Sequence, residues 1–208
     1  MKTVLFQGDS ITDAGRARDG DVYNRGYGYA TMVSGLLGWK YPGAYNGINR
    51  GISGNRVVDL YARIKLDCIN LNPDYISILI GINDVWHEVA NKNGVSADKF
   101  VKVYSMLIEE TQEALPHTKI MILEPFVLHG LATDAAWDYF ETETRLRGEG
   151  AKKVADTYGL PFITLQDKFN RALDQAPASF WLKDGVHPNA PGHMLIANAW
   201  MDMFEQIK

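Results

Sequence analysis

The 208-residue chain has a single cysteine and no long apolar run. One cysteine, Cys68, excludes a disulfide within the chain; a lone thiol in an apolar-patterned segment is typical of core filler and favours a reducing compartment. The longest apolar runs, such as residues 78–80, have the size of a strand and exclude a bilayer span. Only three consecutive apolar residues precede Gln7, too few for a signal peptide. We therefore predict a cytoplasmic protein that does not enter a membrane.

An excess of basic residues is also missing. The chain carries 21 Lys and Arg against 25 Asp and Glu, a formal net charge of −4, and the two signs are interspersed. A nucleic-acid backbone requires a basic face, so neither DNA nor RNA is expected as a partner. Internal repeats and low-complexity linkers are absent, and the length suits one hydrophobic core. We expect one domain over residues 1–208 and a small molecule as ligand.

Short apolar segments alternate with helical patterns along the chain. β-Branched and aromatic residues predict strands at 3–6, 45–52, 75–80, 119–124 and 161–165. The helical spacing of apolar residues predicts helices at 29–39, 56–69, 98–115, 137–158, 166–175 and 189–207. Five strands alternating with helices favour a parallel sheet covered on both faces, a three-layer α/β/α sandwich. We predict the strand order 2-1-3-4-5.

Three local features qualify this plan. The segment 13–28 is polar, rich in glycine and longer than the roughly two to six residues of an ordinary βα connection, so we expect a functional loop. Two glycines, Gly148 and Gly150, predict a kink or fraying inside the helix at 137–158. Asn189 is predicted to cap the last helix.

The stretch GDSIT at residues 8–12 follows directly on the first predicted strand. Glycine allows a sharp backbone turn, and a hydroxyl just past the carboxyl end of a strand lies where open α/β sheets bind ligands. Ser10 is therefore a candidate nucleophile. A Ser or Asp in such a turn is equally typical of a cap on the following helix, so the rest of the chain must decide.

Candidate partners for Ser10 come from three other segments. His187 is the candidate base, and Asp184, three residues earlier across a glycine turn, is positioned to orient the imidazole through Nδ1. The loops after the first three strands open on the same rim of the predicted sheet. The backbone N–H groups of Ser10 and Gly54 and the side-chain amide of Asn83 are therefore candidate oxyanion donors. Taken singly, the same residues are typical of a surface loop, a helix start and a turn.

Two other classes of function stay open on these residues alone. A flavodoxin-like binding module would hold a phosphate or a flavin at the turn after the first strand. A metallophosphatase would use Asp9, Asp84 and His187 and would lose activity with a chelator. The other histidines lack the spacing of a metal cage, and His193 is predicted to be structural. We predict neither a metal nor a cofactor.

Four short blocks stand in order along almost the whole chain: Gly8-Asp9-Ser10, Gly54, Gly81-x-Asn83-Asp84 and Asp184-x-x-His187. Together they resemble the sequence blocks of the SGNH, or GDSL, hydrolase superfamily, and the G-x-S-x-G elbow of the α/β-hydrolases is absent. The resemblance implies a flavodoxin-like α/β/α fold and a serine esterase. It also implies the catalytic residues Ser10, Asp184 and His187, with Ser10, Gly54 and Asn83 as the oxyanion donors.

A narrower resemblance rests on GISGN at 51–55, IGINDVW at 80–86, and VHP followed by GHM within 186–194. These segments are similar to the intracellular bacterial acetyl-xylan esterases. The likeness implies an acetylesterase acting on imported acetylated oligosaccharides, and a homo-oligomer, since similar deacetylases tend to assemble. The rival within the esterases is a lipase, lysophospholipase or thioesterase acting on longer acyl chains. Candidate substrate-binding residues near the predicted rim are Asp9, Tyr23, Tyr27, Trp86 and Trp181.

Overall fold

The computed structural model describes residues 1–19, 21 and 23–208, in which five parallel strands form one sheet in the order β2-β1-β3-β4-β5. The strands are β1 Lys2–Gly8, β2 Tyr45–Asn49, β3 Tyr75–Leu79, β4 Lys119–Leu123 and β5 Phe162–Ile163. The helices are α1 Ser10–Asp13, α2 Tyr29–Lys40, α3 Val57–Ala62, α4 Ile64–Asp67, α5 Ile82–Asn91, α6 Ala97–Ala114, α7 Trp137–Tyr158, α8 Gln166–Ala172, α9 Ala178–Trp181 and α10 Ala190–Ile207, with 3-10 turns at Ile69–Leu71 and Asp134–Ala136. Positions 20 and 22 of the predicted loop 13–28 lie outside the described residues.

The strands supply two apolar cores, one on each face of the sheet. Successive side chains of a strand point to opposite faces, so Val4 and Phe6 join the core that α2 and α10 cover. Leu5 joins the core that α3, α6 and α7 cover on the other face. β3 and β4 alternate in the same way. This arrangement confirms the predicted three-layer α/β/α sandwich and its strand order.

The long helix at 137–158 forms with the predicted bounds but has neither a break nor a frayed segment. Its two glycines provide room for neighbours. A Cβ on Gly148 would lie 3.3 Å from Glu124 Oε1, and one on Gly150 would lie 2.9 Å from Val101 Cγ2. The glycines therefore allow α7 to pack closely on the sheet and on α6, and the expectation of a kink was wrong.

Two other helix predictions were also wrong. The single helix expected at 56–69 is interrupted after α3, and the guanidinium of Arg63 at the interruption donates to Arg50 O at 2.9 Å and to Asn55 Oδ1 at 2.7 Å. No helix was predicted between β3 and α6, and the Asn-Asp pair, expected in the loop after β3, lies in the first turn of α5. Ile82 and Val85 of α5 are buried against the sheet, and this packing outweighs the weak helix propensity of Asn and Asp.

Two smaller expectations have mixed outcomes. Cys68 lies in the core, where burial raises the pKa of its thiol to about 12, as expected of core filler. Asn189 occupies the N-cap position of α10, but its side chain donates from Nδ2 to Ser179 O at 2.8 Å and makes no capping bond. No helix of the described residues combines the length and apolar character needed to cross a bilayer.

Candidate active site

Ser10 begins α1, two residues after the end of β1, and faces a histidine from the far end of the chain. Its Oγ lies 2.9 Å from His187 Nε2, and His187 Nδ1 lies 2.7 Å from Asp184 Oδ2. Because the carboxylate can only accept, Nδ1 carries the proton and Nε2 is left free to accept from the serine hydroxyl. The three side chains therefore have the arrangement that a nucleophile, a base and a group orienting the base require.

The Asp184 carboxylate is held in its ionised form. Burial by itself would raise its pKa, but the backbone N–H groups of His187 and Val186 and the His187 ring outweigh burial and lower the pKa below its usual value. The two N–H groups donate to Oδ1 at 2.8 and 3.0 Å, leaving Oδ2 for the imidazole. A negative charge fixed in this way stabilises the imidazolium that forms when His187 takes a proton.

The loop that carries Asp184 and His187 is braced by the segment between β4 and α7. Leu128 N donates to Gly185 O and Ala132 N donates to Asp184 O, both at 2.9 Å. Gly185 has φ +97, and a Cβ there would lie 2.6 Å from Leu128 O, so the turn requires glycine. The sequence reasoning missed this brace because the two segments meet only in three dimensions.

The predicted oxyanion donors lie at the carboxyl ends of three neighbouring strands, β2, β1 and β3. Gly54 has φ +82, and a Cβ there would have one neighbour within 4 Å, His87 Nε2 at 3.9 Å, so its backbone faces open space. Asn83 is buried in the first turn of α5, where Nδ2 donates to Asn55 O at 3.2 Å and retains a second N–H. Ser10, Gly54 and Asn83 therefore follow three strands that are neighbours in the sheet, in the order that was predicted.

A cavity of about 280 Å³ opens beside the nucleophile. Tyr27 stands at its mouth with 67% of its surface exposed. Trp86 lies across the site, with its ring centre 5.7 Å from that of His187. The lining residues are Ser10, Ile11, Ala14, Tyr27, Lys183, His187, Pro188, Asn189, Ala190 and His193.

Comparison with known proteins agrees with this geometry. The sequence profile of the GDSL-like Lipase/Acylhydrolase family matches residues 6–195. The chain belongs to this family. It is therefore a hydrolase of carboxylic esters, and the resemblance seen in the four sequence blocks is confirmed.

Individual relatives cover nearly the whole chain. An acetylxylan esterase of Geobacillus stearothermophilus is 35% identical over 206 residues, which span 95% of this chain and 91% of the relative. A catalytic mutant of that organism's acetylxylan esterase Axe2 superimposes with a TM-score of 0.87 at 34% identity, covering 97% of this chain and 93% of the other. A protein of Parabacteroides merdae described as a GDSL-like lipase has a TM-score of 0.93 at 36% identity, covering 98% and 95%.

Two residues predicted to bind substrate in this GDSL-family hydrolase, Asp9 and Trp181, do not line the Ser10 cavity. Asp9 is 1% exposed and accepts from Ile11 N at 2.9 Å, so it anchors the turn beneath Ser10. Trp181 lines a separate cavity and donates from Nε1 to Ala176 O at 3.2 Å. Asp9 is therefore too buried to contact a substrate, and Trp181 faces a different cavity. Tyr23 is 82% exposed, and its role in substrate binding stays a prediction.

Two buried carboxyl groups lie under the site of this hydrolase. Burial raises the pKa of Asp9 to about 7 and that of Asp84 to about 8. Both oxygens of Asp84 lie within 3.2 Å of Val57 N, which ties the start of α5 to the start of α3. Among the described residues no group of three or more His, Cys, Asp or Glu is placed to hold a metal ion.

Proposed function

We propose that this hydrolase removes acetyl groups from carbohydrates, with Ser10 as the nucleophile, His187 as the base and Asp184 as its orienting carboxylate. The observation that carries the proposal is the continuous hydrogen-bonded path from Ser10 Oγ through His187 to Asp184. The 35% identity of the chain to an acetylxylan esterase favours acetylated sugars as the substrate class.

The geometry supports a two-step reaction. His187 Nε2 takes the Ser10 proton while Oγ attacks the acetyl carbonyl carbon, and the Ser10 N–H, the Gly54 N–H and the Asn83 amide stabilise the oxyanion. His187 then gives the proton to the departing sugar oxygen, which leaves an acetyl group on Ser10. Next, His187 deprotonates a water molecule that attacks this ester; the bond between the carbonyl carbon and Ser10 Oγ then breaks, His187 returns the proton to Oγ, and acetate is released. No cofactor takes part in these steps.

Solved structures of Axe2 support the assignment of these roles. Three of them are described as catalytic mutants, in which a serine, an aspartate and a histidine are each replaced by alanine. The mutated aspartate and histidine are three residues apart, as are Asp184 and His187. The same residue types, with the same spacing between aspartate and histidine, favour the same catalytic roles for Ser10, Asp184 and His187 in this chain.

The size and lining of the cavity favour a sugar over a long acyl chain. Its volume of about 280 Å³ lies at the lower end of the range for ligand pockets, roughly 300–1,000 Å³, and its lining includes the polar residues Lys183, Asn189 and His193. Tyr27 at the mouth presents an aromatic ring that can stack on a sugar. We assign Tyr27 to substrate binding on these grounds, and Trp86 because its ring centre lies 5.7 Å from that of His187.

Product analysis tests this function directly. Proton NMR of a panel of acetylated xylo-oligosaccharides incubated with the wild-type protein should show acetate release, and Ser10→Ala should abolish it. A series of p-nitrophenyl esters should show a fall in kcat/KM from acetate to octanoate. A rise along that series would contradict the proposal and favour a lipase or thioesterase, and an active Ser10→Ala variant would exclude the serine mechanism.

Two accompanying predictions concern assembly and location. We propose a homo-oligomer, which sedimentation velocity would detect as a mass several times 23.3 kDa. We also propose a cytoplasmic location, consistent with the buried reduced thiol of Cys68. Fractionation of the producing cells would test the second point.

A further inference from the structure

A second histidine shares the cavity with the catalytic one. His193 lies in the first turn of α10, is 2% exposed and lines the cavity together with Ser10 and His187. The mechanism proposed above does not use it. A buried polar ring beside a nucleophile requires an explanation, because buried polar atoms in proteins almost always have partners.

The hydrogen bonds of His193 determine which nitrogen carries its proton. Nδ1 accepts from the backbone N–H of Tyr29 at 3.2 Å, at the start of α2. In a neutral imidazole the other nitrogen, Nε2, must then hold the hydrogen. No hydrogen bond joins Nε2 to any other residue within the described ranges, so its N–H is left as a donor in a ring that lines the cavity.

The environment of His193 keeps the ring neutral near pH 7. Burial is the main cause that lowers its pKa to about 4, and the nearby His187 and Lys183 lower it further. A neutral ring with Nδ1 occupied can donate from Nε2 but cannot accept there. Its missing partner is therefore an oxygen lone pair.

We infer that His193 binds the sugar part of the substrate by donating from Nε2 to a hydroxyl or ring oxygen. This inference rests on the proposed deacetylase function and adds a specificity-determining residue to it. The cavity is too large for an acetyl methyl group alone, so its remaining volume is available to the alcohol part of the ester. The ring of Tyr27 meets that of His193 edge-on, with centres 6.2 Å apart, and together they form a wall with one aromatic surface and one donor.

Two amide substitutions separate this role from a purely structural one. Asn places an oxygen where Nδ1 stands and can still accept from Tyr29 N–H, but it has no group at the position of Nε2. Gln places its amide at the position of Nε2 and loses the acceptor at Nδ1. The pair His193→Asn and His193→Gln therefore removes one function at a time.

The informative quantity is the ratio of kcat/KM on an acetylated xylobiose to kcat/KM on p-nitrophenyl acetate. In His193→Asn this ratio should fall about 10-fold, mostly through KM, because one hydrogen bond to the sugar is lost. In His193→Gln the ratio should stay within about 3-fold while the thermal midpoint decreases, because the helix start at Tyr29 loses its acceptor. The opposite pattern, with the ratio kept in Asn and lost in Gln, would overturn the inference.

A measurement on the wild-type protein avoids any folding defect of the variants. With ¹⁵N-labelled histidine, the Nε2 resonance of His193 should shift on titration with unacetylated xylobiose and should show a bound proton throughout. An unchanged resonance at saturating xylobiose would refute the contact. If wild type releases no acetate from any acetylated sugar, the deacetylase proposal fails; if it does and the His193→Asn ratio is unchanged, only the role of His193 fails.

Discussion

At the scale of single residues, both carboxylate oxygens of Asp184 accept hydrogen bonds. Oδ1 receives two backbone N–H groups and Oδ2 receives the imidazole N–H at 2.7 Å. The imidazole is therefore fixed in the tautomer that can accept the Ser10 proton. The exposure of a side chain could not be predicted from its sequence neighbours: Asp9, next to Ser10 in the chain, is buried.

Replacing Asp184 with Asn tests the orienting role. An amide offers N–H as well as oxygen toward Nδ1, so the ring loses the constraint that fixes its tautomer and the charge that stabilises imidazolium. We expect kcat on p-nitrophenyl acetate to fall by about 10³- to 10⁴-fold. Asp156→Asn, at an exposed residue that forms a salt bridge with Lys152, is the control and should remain active. A loss of less than 10-fold in Asp184→Asn would contradict the assignment.

Replacing Asn83 with Ala tests the oxyanion site. The variant lacks one donor to the developing charge, so kcat should fall by about 10²- to 10³-fold with a small change in KM. Asn91→Ala lies at the exposed end of the same helix, α5, and serves as the matched control. Steady-state kinetics compare the kcat of both variants with that of the wild type, and circular dichroism verifies that they fold. Equal kcat values would remove Asn83 from the site.

At the scale of elements, catalytic geometry depends on the segment between β4 and α7. Thr133 is fully buried, and its hydroxyl donates to Leu128 O at 2.8 Å, which folds this segment into a compact loop. The loop in turn bonds to the backbone of Asp184 and Gly185. It holds the carboxylate in position although none of its residues lines the Ser10 cavity.

Gly130→Ala tests this brace. A Cβ at Gly130 would overlap the backbone of Asp184 and Gly185, so the Asp184 loop must move. Displacements of about 1 Å at a catalytic group cost up to about 100-fold, and we expect kcat to fall at least 10-fold. Gly38→Ala, in α2 with no atom within 4 Å of the new Cβ, should keep activity and gain helix propensity. Full activity of Gly130→Ala would show that the brace is dispensable.

At the scale of the whole molecule, two buried acids connect stability to pH. The pKa values of Asp9 and Asp84 are raised from 3.8 to about 7 and about 8 in the folded protein, chiefly by burial. Between the ordinary pKa of 3.8 and the raised pKa of each acid, the folded state binds more protons than the unfolded state. The free energy of unfolding therefore falls as pH rises through this range. Below about pH 4 both acids are protonated in the folded and the unfolded state, and they no longer make the free energy of unfolding depend on pH. His193, with its pKa lowered from 6.5 to about 4, has the opposite effect below pH 6.5.

The free energy of unfolding should therefore be lower at pH 8.5 than at pH 6.5. Each acid should lower it by on the order of 1 kcal/mol per pH unit, up to the raised pKa of that acid. Urea denaturation at the two values measures the difference. Asp84→Asn keeps an oxygen for the Val57 N–H and removes one ionisable group, so the difference should shrink. The same pH dependence in wild type and Asp84→Asn would show that Asp84 does not ionise in this range.

Local patterns in the sequence were sufficient for the architecture and for the candidate triad. Alternating apolar runs such as β1 and β3 specify buried parallel strands, and parallel strands bring their carboxyl ends to one edge. That rule predicts Ser10, Gly54 and Asn83 on a common rim. The spacing of Asp184 and His187 is likewise a local property of one turn.

Only the tertiary structure decided which side chains are exposed and which distant segments brace the site. Asp9 is buried, Trp181 faces another cavity, and the β4–α7 loop supports Asp184. His193, predicted to be structural, accepts a hydrogen bond from Tyr29 N and also lines the Ser10 cavity. Burial and such contacts depend on chain segments far apart in the sequence, whereas propensity and periodicity depend on neighbours within a few residues. The sequence therefore determined the elements and the chemistry they carry, and packing between distant segments determined the surroundings in which that chemistry operates.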